Sequence, residues 1–117
     1  MNPEECKLLM LAAENNDPTM LNDIPDNVFT DWFASSISDY RIITPVLREM
    51  FGISLTAVEK VPDNSPSVLD YLEHIGLKDA VLSMFHGQDY EYDGKRMDGK
   101  YQLRKAMLIA YNEIMNS

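Results

Sequence analysis

Proline and glycine recur along this chain at intervals too short for long unbroken elements. The prolines stand at positions 3, 18, 25, 45, 62 and 66, and the glycines at 52, 76, 87, 94 and 99. Proline cannot donate to a helix ladder and glycine ends helices by turning left-handed, so the pattern predicts many short helices.

The segments between these breaks carry helical periodicity. Asn2 can cap a helix that has Pro3 at its first position and Glu4 and Glu5 in its first turn, running to about Asn15. Cys6 falls in this helix and is expected to be a buried, inert thiol. Asp17-Pro18 repeats the start signal for a short turn of helix through Asn22. Asp26 opens a third helix, where Val28, Phe29, Trp32, Phe33 and Ile37 follow the helical spacing and Trp32 is expected in the core. Thr44-Pro45 is expected to begin a helix with Val46, Leu47, Met50 and Phe51 inward and Gly52 as its stop. Residues 53–61 read as helix in preference to strand, although Ile53, Leu55, Ala57 and Val61 also alternate. Residues 63–66 read as a loop.

Val68, Leu69, Leu72 and Ile75 line the next helix, ended by Gly76. Ala80, Val81, Met84 and Phe85 line another, ended by Gly87. Tyr90 and Tyr92 alternate with charges ahead of Asp93-Gly94, so 88–98 reads as a small β-hairpin or an ordered polar loop. Leu103, Ala106, Met107, Ala110 and Ile114 make the clearest apolar stripe, widened by Tyr111. The expected fold is all-α: one domain over 1–117, a compact array of six or seven short helices around the C-terminal helix. A total of 117 residues, 45% of them apolar, suffices for one core without disulfide staples.

Charge narrows the function classes. The net charge is −9, distributed as −7 over residues 1–40, −5 over 41–94 and +3 over 95–117. An acidic surface repels phosphate backbones, so direct nucleic-acid binding is not expected, whereas attraction to a protein partner with a basic surface is. A single cysteine excludes an internal disulfide. The acidic start Met1-Asn2-Pro3-Glu4-Glu5 does not resemble a secretory signal, and no apolar run approaches a membrane span. The expected setting is therefore cytoplasmic, away from membranes.

Tests for chemistry are largely negative. Asp89, Glu91 and Asp93 followed by Gly94 match the opening of a calcium-binding EF-hand loop, but Arg96 and Lys100 occupy later positions where an apolar residue and a bidentate glutamate are required. A solvated polar turn is the expected reading. His74 and His86 fall near helix ends with no ligand spacing to Cys6 or to paired carboxylates. No phosphate loop or nucleophile elbow is present. No cofactor, metal or catalytic residue is expected.

The phrase Val68-Leu69-Asp70-Tyr71-Leu72-Glu73-His74-Ile75-Gly76-Leu77 resembles the opening of a sterile-alpha-motif domain, and Gly99-Lys100-Tyr101-Gln102-Leu103-Arg104-Lys105 resembles its closing helix. The residues between are too few for that domain's middle helices and residues 1–66 lie outside the match, so the chain is not assigned to it.

The expected function is a small acidic binding protein, an inhibitor or adaptor that modulates a protein partner. By analogy of composition it resembles phage accessory proteins acting on host nucleic-acid-handling machinery. A structural subunit or assembly chaperone is the alternative, and an enzyme a third. The residues expected at an exposed interface are Asp17, Asp23, Asp26 and Asp31 on the acidic side and Arg96, Lys100 and Arg104 on the basic side. The three basic residues recur four apart and share a face if the last helix extends back far enough. Lys100, Arg104 and Lys105 oppose the dipole at that helix's start and are expected to pair with the surplus acids or to form a docking edge.

Overall fold

A computed structural model describes residues 1–36, 39–54 and 68–116, with the Tyr40 side chain left aside. Six α-helices and one antiparallel hairpin are present among them.

Local signals set most helix ends. Helix α1 (Pro3–Asn15) begins with a capping box: the Asn2 side chain accepts from the Glu5 amide at 2.8 Å, and the Glu5 carboxylate accepts from the Asn2 amide at 2.9 Å. Leu9 and Ala12 are its buried residues, whereas Cys6 is exposed, contrary to the expectation of a buried thiol. Burial in α1 begins only at Leu9, and the helical residues before it, Cys6 among them, are not buried. A 3-10 helix (Pro18–Leu21) follows, with the Asp17 carboxylate accepting from the Thr19 amide at 3.1 Å and from its hydroxyl at 2.6 Å.

Helix α2 (Asp26–Ser36) buries Phe29 and Phe33. Trp32 is only half-buried, packed edge-on against Phe33 with ring centroids 5.0 Å apart; it borders the core rather than filling it.

Helix α3 (Tyr40–Phe51) corrects the expected start at Thr44-Pro45. Asp39 is its cap, accepting from the Arg41 amide at 3.0 Å, and Pro45 lies inside the helix. The Arg41 guanidinium beside Asp39 holds its carboxyl below the usual carboxylate range. Proline costs one ladder hydrogen bond here, and the burial of Ile43, Val46, Leu47, Met50 and Phe51 on one face offsets that loss. Gly52 ends the helix at φ 65°, as its position requires. The expected helix at 53–61 lies outside the described residues beyond Ser54, as do the 63–66 loop and Ile37.

Helix α4 (Val68–His74) buries Val68 and Leu72, but Ile75 falls past its end and is exposed. Helix α5 (Lys78–Phe85) buries Val81, Met84 and Phe85. Strands β1 (Tyr90–Tyr92) and β2 (Lys95–Met97) pair Tyr90 with Met97, Glu91 with Arg96 and Tyr92 with Lys95. Asp93 and Gly94 make the turn with φ of 54° and 73°, the double left-handed conformation that a two-residue hairpin favours.

Helix α6 (Gly99–Met115) is capped by Asp98 and touches α1, the 3-10 helix, α2, α3 and α5. It buries Leu103, Ala106, Met107, Leu108 and Ala110. Its expected stripe residue Ile114 is exposed. One hydrophobic core draws on all six helices and on Tyr90. The expected all-α array around a C-terminal helix, with a hairpin within 88–98, is the observed fold.

Candidate functional site

Among the described residues, the charged residue most deeply set in this core is Arg104, at 3% exposure. It lies in the second turn of α6 and points toward the segment between the 3-10 helix and α2. Its Nε donates to the Leu21 carbonyl at 3.0 Å, and Nη2 donates to the Ile24 carbonyl at 2.6 Å. Nη1 donates to the Lys100 carbonyl at 3.1 Å and meets Asp26 Oδ1 at 2.8 Å. The guanidinium carbon lies 5.2 Å from the centroid of the Phe29 ring. A buried charge is tolerable only when paired and hydrogen-bonded, and this one is both.

This arrangement corrects the expected basic edge. Arg104 is not exposed, and the helix dipole that opposes a cation there is outweighed by three carbonyls and a carboxylate. Nor do Arg96, Lys100 and Arg104 share a helix face: α6 starts at Gly99, so Arg96 belongs to β2. Arg96 instead lies 3.8 Å from Asp89, with both side chains more than half exposed, a pair that contributes little.

Above the Arg104–Asp26 pair lies an open surface groove of about 720 Å³. Its walls come from Asn22, Asp23, Pro25, Asp26 and Asn27 on one side and from Asp98, Lys100 and Tyr101 on the other. The groove therefore unites four of the seven expected interface residues: Asp23, Asp26, Lys100 and Arg104. Asp23 and Lys100 are exposed, Asp26 is about one-third exposed, and Arg104 forms the floor. Asp17 lies outside the groove, with its carboxylate committed to Thr19. Asp31 is exposed on α2 and does not line it.

The sequence reading missed Asp98 and Tyr101. An aspartate directly before a helical stripe is the signature of a capped helix start, and that signal would have placed Asp98 at the start of α6, though not at the groove. The cap accepts from the Lys100 amide at 3.1 Å and from the Tyr101 amide at 3.3 Å.

The loop resembling an EF-hand start is a tight hairpin. Asp89 Oδ1 accepts from the Gly99 amide at 2.9 Å, so the carboxylate expected first in a calcium loop secures the start of α6. Among the described residues, no three histidine, cysteine or acidic side chains cluster as a metal site. His86 Nδ1 lies 2.6 Å from the Leu82 carbonyl at the end of α5. Burial pushes the Tyr90 hydroxyl up to about 12, away from acid–base work near neutrality. Among the described residues, no helix is long and apolar enough to cross a membrane.

No family model, curated protein or solved structure matches this chain.

Proposed function

We propose that this chain is a non-catalytic binding protein that docks through its acidic surface on a protein partner with a basic surface and modulates it. Glu4, Glu14, Asp23 and Asp31 support this reading. All four are exposed, and among the described residues they form no ion pair. Burial of Arg104 leaves the imbalance in place. One of the five bases of the C-terminal segment is withdrawn from the surface, and Asp26 is neutralised with it, so the exterior keeps the chain's net negative charge.

Carboxylates left unpaired at a surface raise the encounter rate with a cationic partner and give an association that salt weakens. A basic surface that otherwise holds nucleic acid is a partner of suitable chemistry, and an inhibitor or adaptor acting in the cytoplasm on such machinery is the corresponding role. Within the acidic set, Asp23 and Asp31 are the free contributors. Asp17 and Asp26 are already engaged by Thr19 and Arg104. Lys100 lines the same groove as Asp23, from its other wall.

The test is affinity capture from the native host at low and at high salt, followed by mass spectrometry. A partner held at low salt, released at high salt and lost by the double variant Asp23→Asn/Asp31→Asn is the expected result. A partner retained equally under both conditions overturns the electrostatic reading.

A further inference from the structure

The chain contains two Asp-Gly pairs, Asp93-Gly94 and Asp98-Gly99, and the fold treats them in opposite ways. Among dipeptides that begin with aspartate, Asp-Gly is the most open to backbone rearrangement, because glycine has no β-carbon to shield its nitrogen. We propose that Asp93 is a site of spontaneous isoaspartate formation and that Asp98 is protected from it by the tertiary structure.

Asp93 and Gly94 are both exposed, and a β-carbon placed on Gly94 would meet no atom within 4 Å. Among the described residues, neither the Asp93 carboxyl nor the Gly94 amide takes part in a hydrogen bond beyond the strand pairing that flanks them. Nucleophile and electrophile are therefore exposed and unengaged, within a turn closed only by the Tyr92–Lys95 pair. Both residues also hold positive φ, a conformation that an L-aspartate adopts at a cost.

The step balances without any reagent but water. The Gly94 nitrogen attacks Cγ of the protonated Asp93 carboxyl, an N–Cγ bond forms, and the Cγ–OH bond breaks. The hydroxyl leaves as water with the amide proton, and a five-membered succinimide remains. Water then adds to one of the two ring carbonyls. Cleavage on the side-chain side restores aspartate. Cleavage on the main-chain side leaves the chain running through Cγ, with a free α-carboxylate and an extra methylene in the backbone. The Tyr92–Lys95 pair that closes the two-residue turn cannot keep its register across that insertion.

Every requirement fails at Asp98-Gly99. The Gly99 amide donates to Asp89 Oδ1, and the Asp98 carboxylate accepts from the Lys100 and Tyr101 amides. Gly99 is buried, and its α-carbon abuts the Gln88 backbone so closely that an added β-carbon would lie 2.1 Å from the Gln88 carbonyl carbon. The nucleophile is engaged and the electrophile is held.

The experiment ages the folded full chain in warm, mildly acidic buffer. It then labels isoaspartate with an isoaspartyl methyltransferase and a radioactive methyl donor, and locates the label by peptide mapping. Label at 93 with none at 98, and its loss in Asp93→Glu, is the expected result. The same chain aged in denaturant is expected to carry label at both positions. Absence of label at 93 in the folded protein, or equal label at 93 and 98, overturns the proposal. So does a one-sided pattern that persists in denaturant, because selectivity would then reside in the local sequence and not in the fold.

Discussion

Arg104 and Asp26 meet at 2.8 Å, the guanidinium almost wholly buried and the carboxylate about one-third exposed. The pair ties the second turn of α6 to the first residue of α2, and the same guanidinium holds the Leu21 and Ile24 carbonyls between them. An electrically bipolar sequence is thus partly neutralised inside the fold.

Removal of Arg104 should be costly out of proportion to one surface charge. Arg104→Met is expected to lower stability by about 3–5 kcal/mol, since it leaves a carboxylate and two inward carbonyls without their donor. Arg96→Met, at an exposed pair, should change stability by less than about 0.5 kcal/mol. Urea unfolding of the two variants checks the contrast, and equal midpoints would contradict it. Arg104→Lys should not restore wild-type stability, because an ammonium lacks the planar fork that spans these acceptors.

Gly99 is irreplaceable for reasons of space. Its φ is not left-handed, yet an added β-carbon would collide with the Gln88 backbone, which has no flexible end to move aside. Gly99→Ala is expected to cost more than about 2 kcal/mol by overpacking. Ala is normally the better helix former by about 1 kcal/mol, so the sign of the measured change separates crowding from propensity.

The two hairpin tyrosines should respond differently to loss of their hydroxyls. Tyr92 donates to the Phe51 carbonyl at 2.7 Å, so Tyr92→Phe should cost about 1 kcal/mol. The Tyr90 hydroxyl is buried with no hydrogen-bond partner among the described residues, so Tyr90→Phe should be neutral or stabilising. Thermal unfolding of both variants tests the distinction.

Alkaline stability follows from the same residue. Burial raises the Tyr90 hydroxyl from 10.0 to about 12 in the folded protein. Between those values the unfolded chain loses this proton while the folded chain keeps it, so deprotonation favours unfolding. The stabilising contribution is complete below pH 10.0 and falls away as pH rises toward about 12. Denaturation midpoints measured across that window should drop more steeply for the wild type than for Tyr90→Phe.

Local chemistry made much of this fold legible. Asn2 with Glu5, Asp17 before Pro18, Gly52 after an apolar stripe and Asp93-Gly94 between tyrosines each act within a few residues, through caps and turns whose geometry does not depend on distant contacts. The helix start at Tyr40 was less legible. Pro45 is a strong local stop, and only burial of the α3 face against α6 makes an interior proline tolerable.

The charge surplus of the N-terminal region, the succession of short helices and the adjacency of each Asp-Gly pair were determined by sequence alone. Tertiary structure alone decided which charges remain at the surface and which Asp-Gly pair is shielded. Arg96, Lys100 and Arg104 look equivalent in a linear chain, yet one is on a strand, one at a groove and one under the core. The reason is physical: desolvation depends on what packs over a side chain, and for Arg104 that cover comes from the far end of the chain.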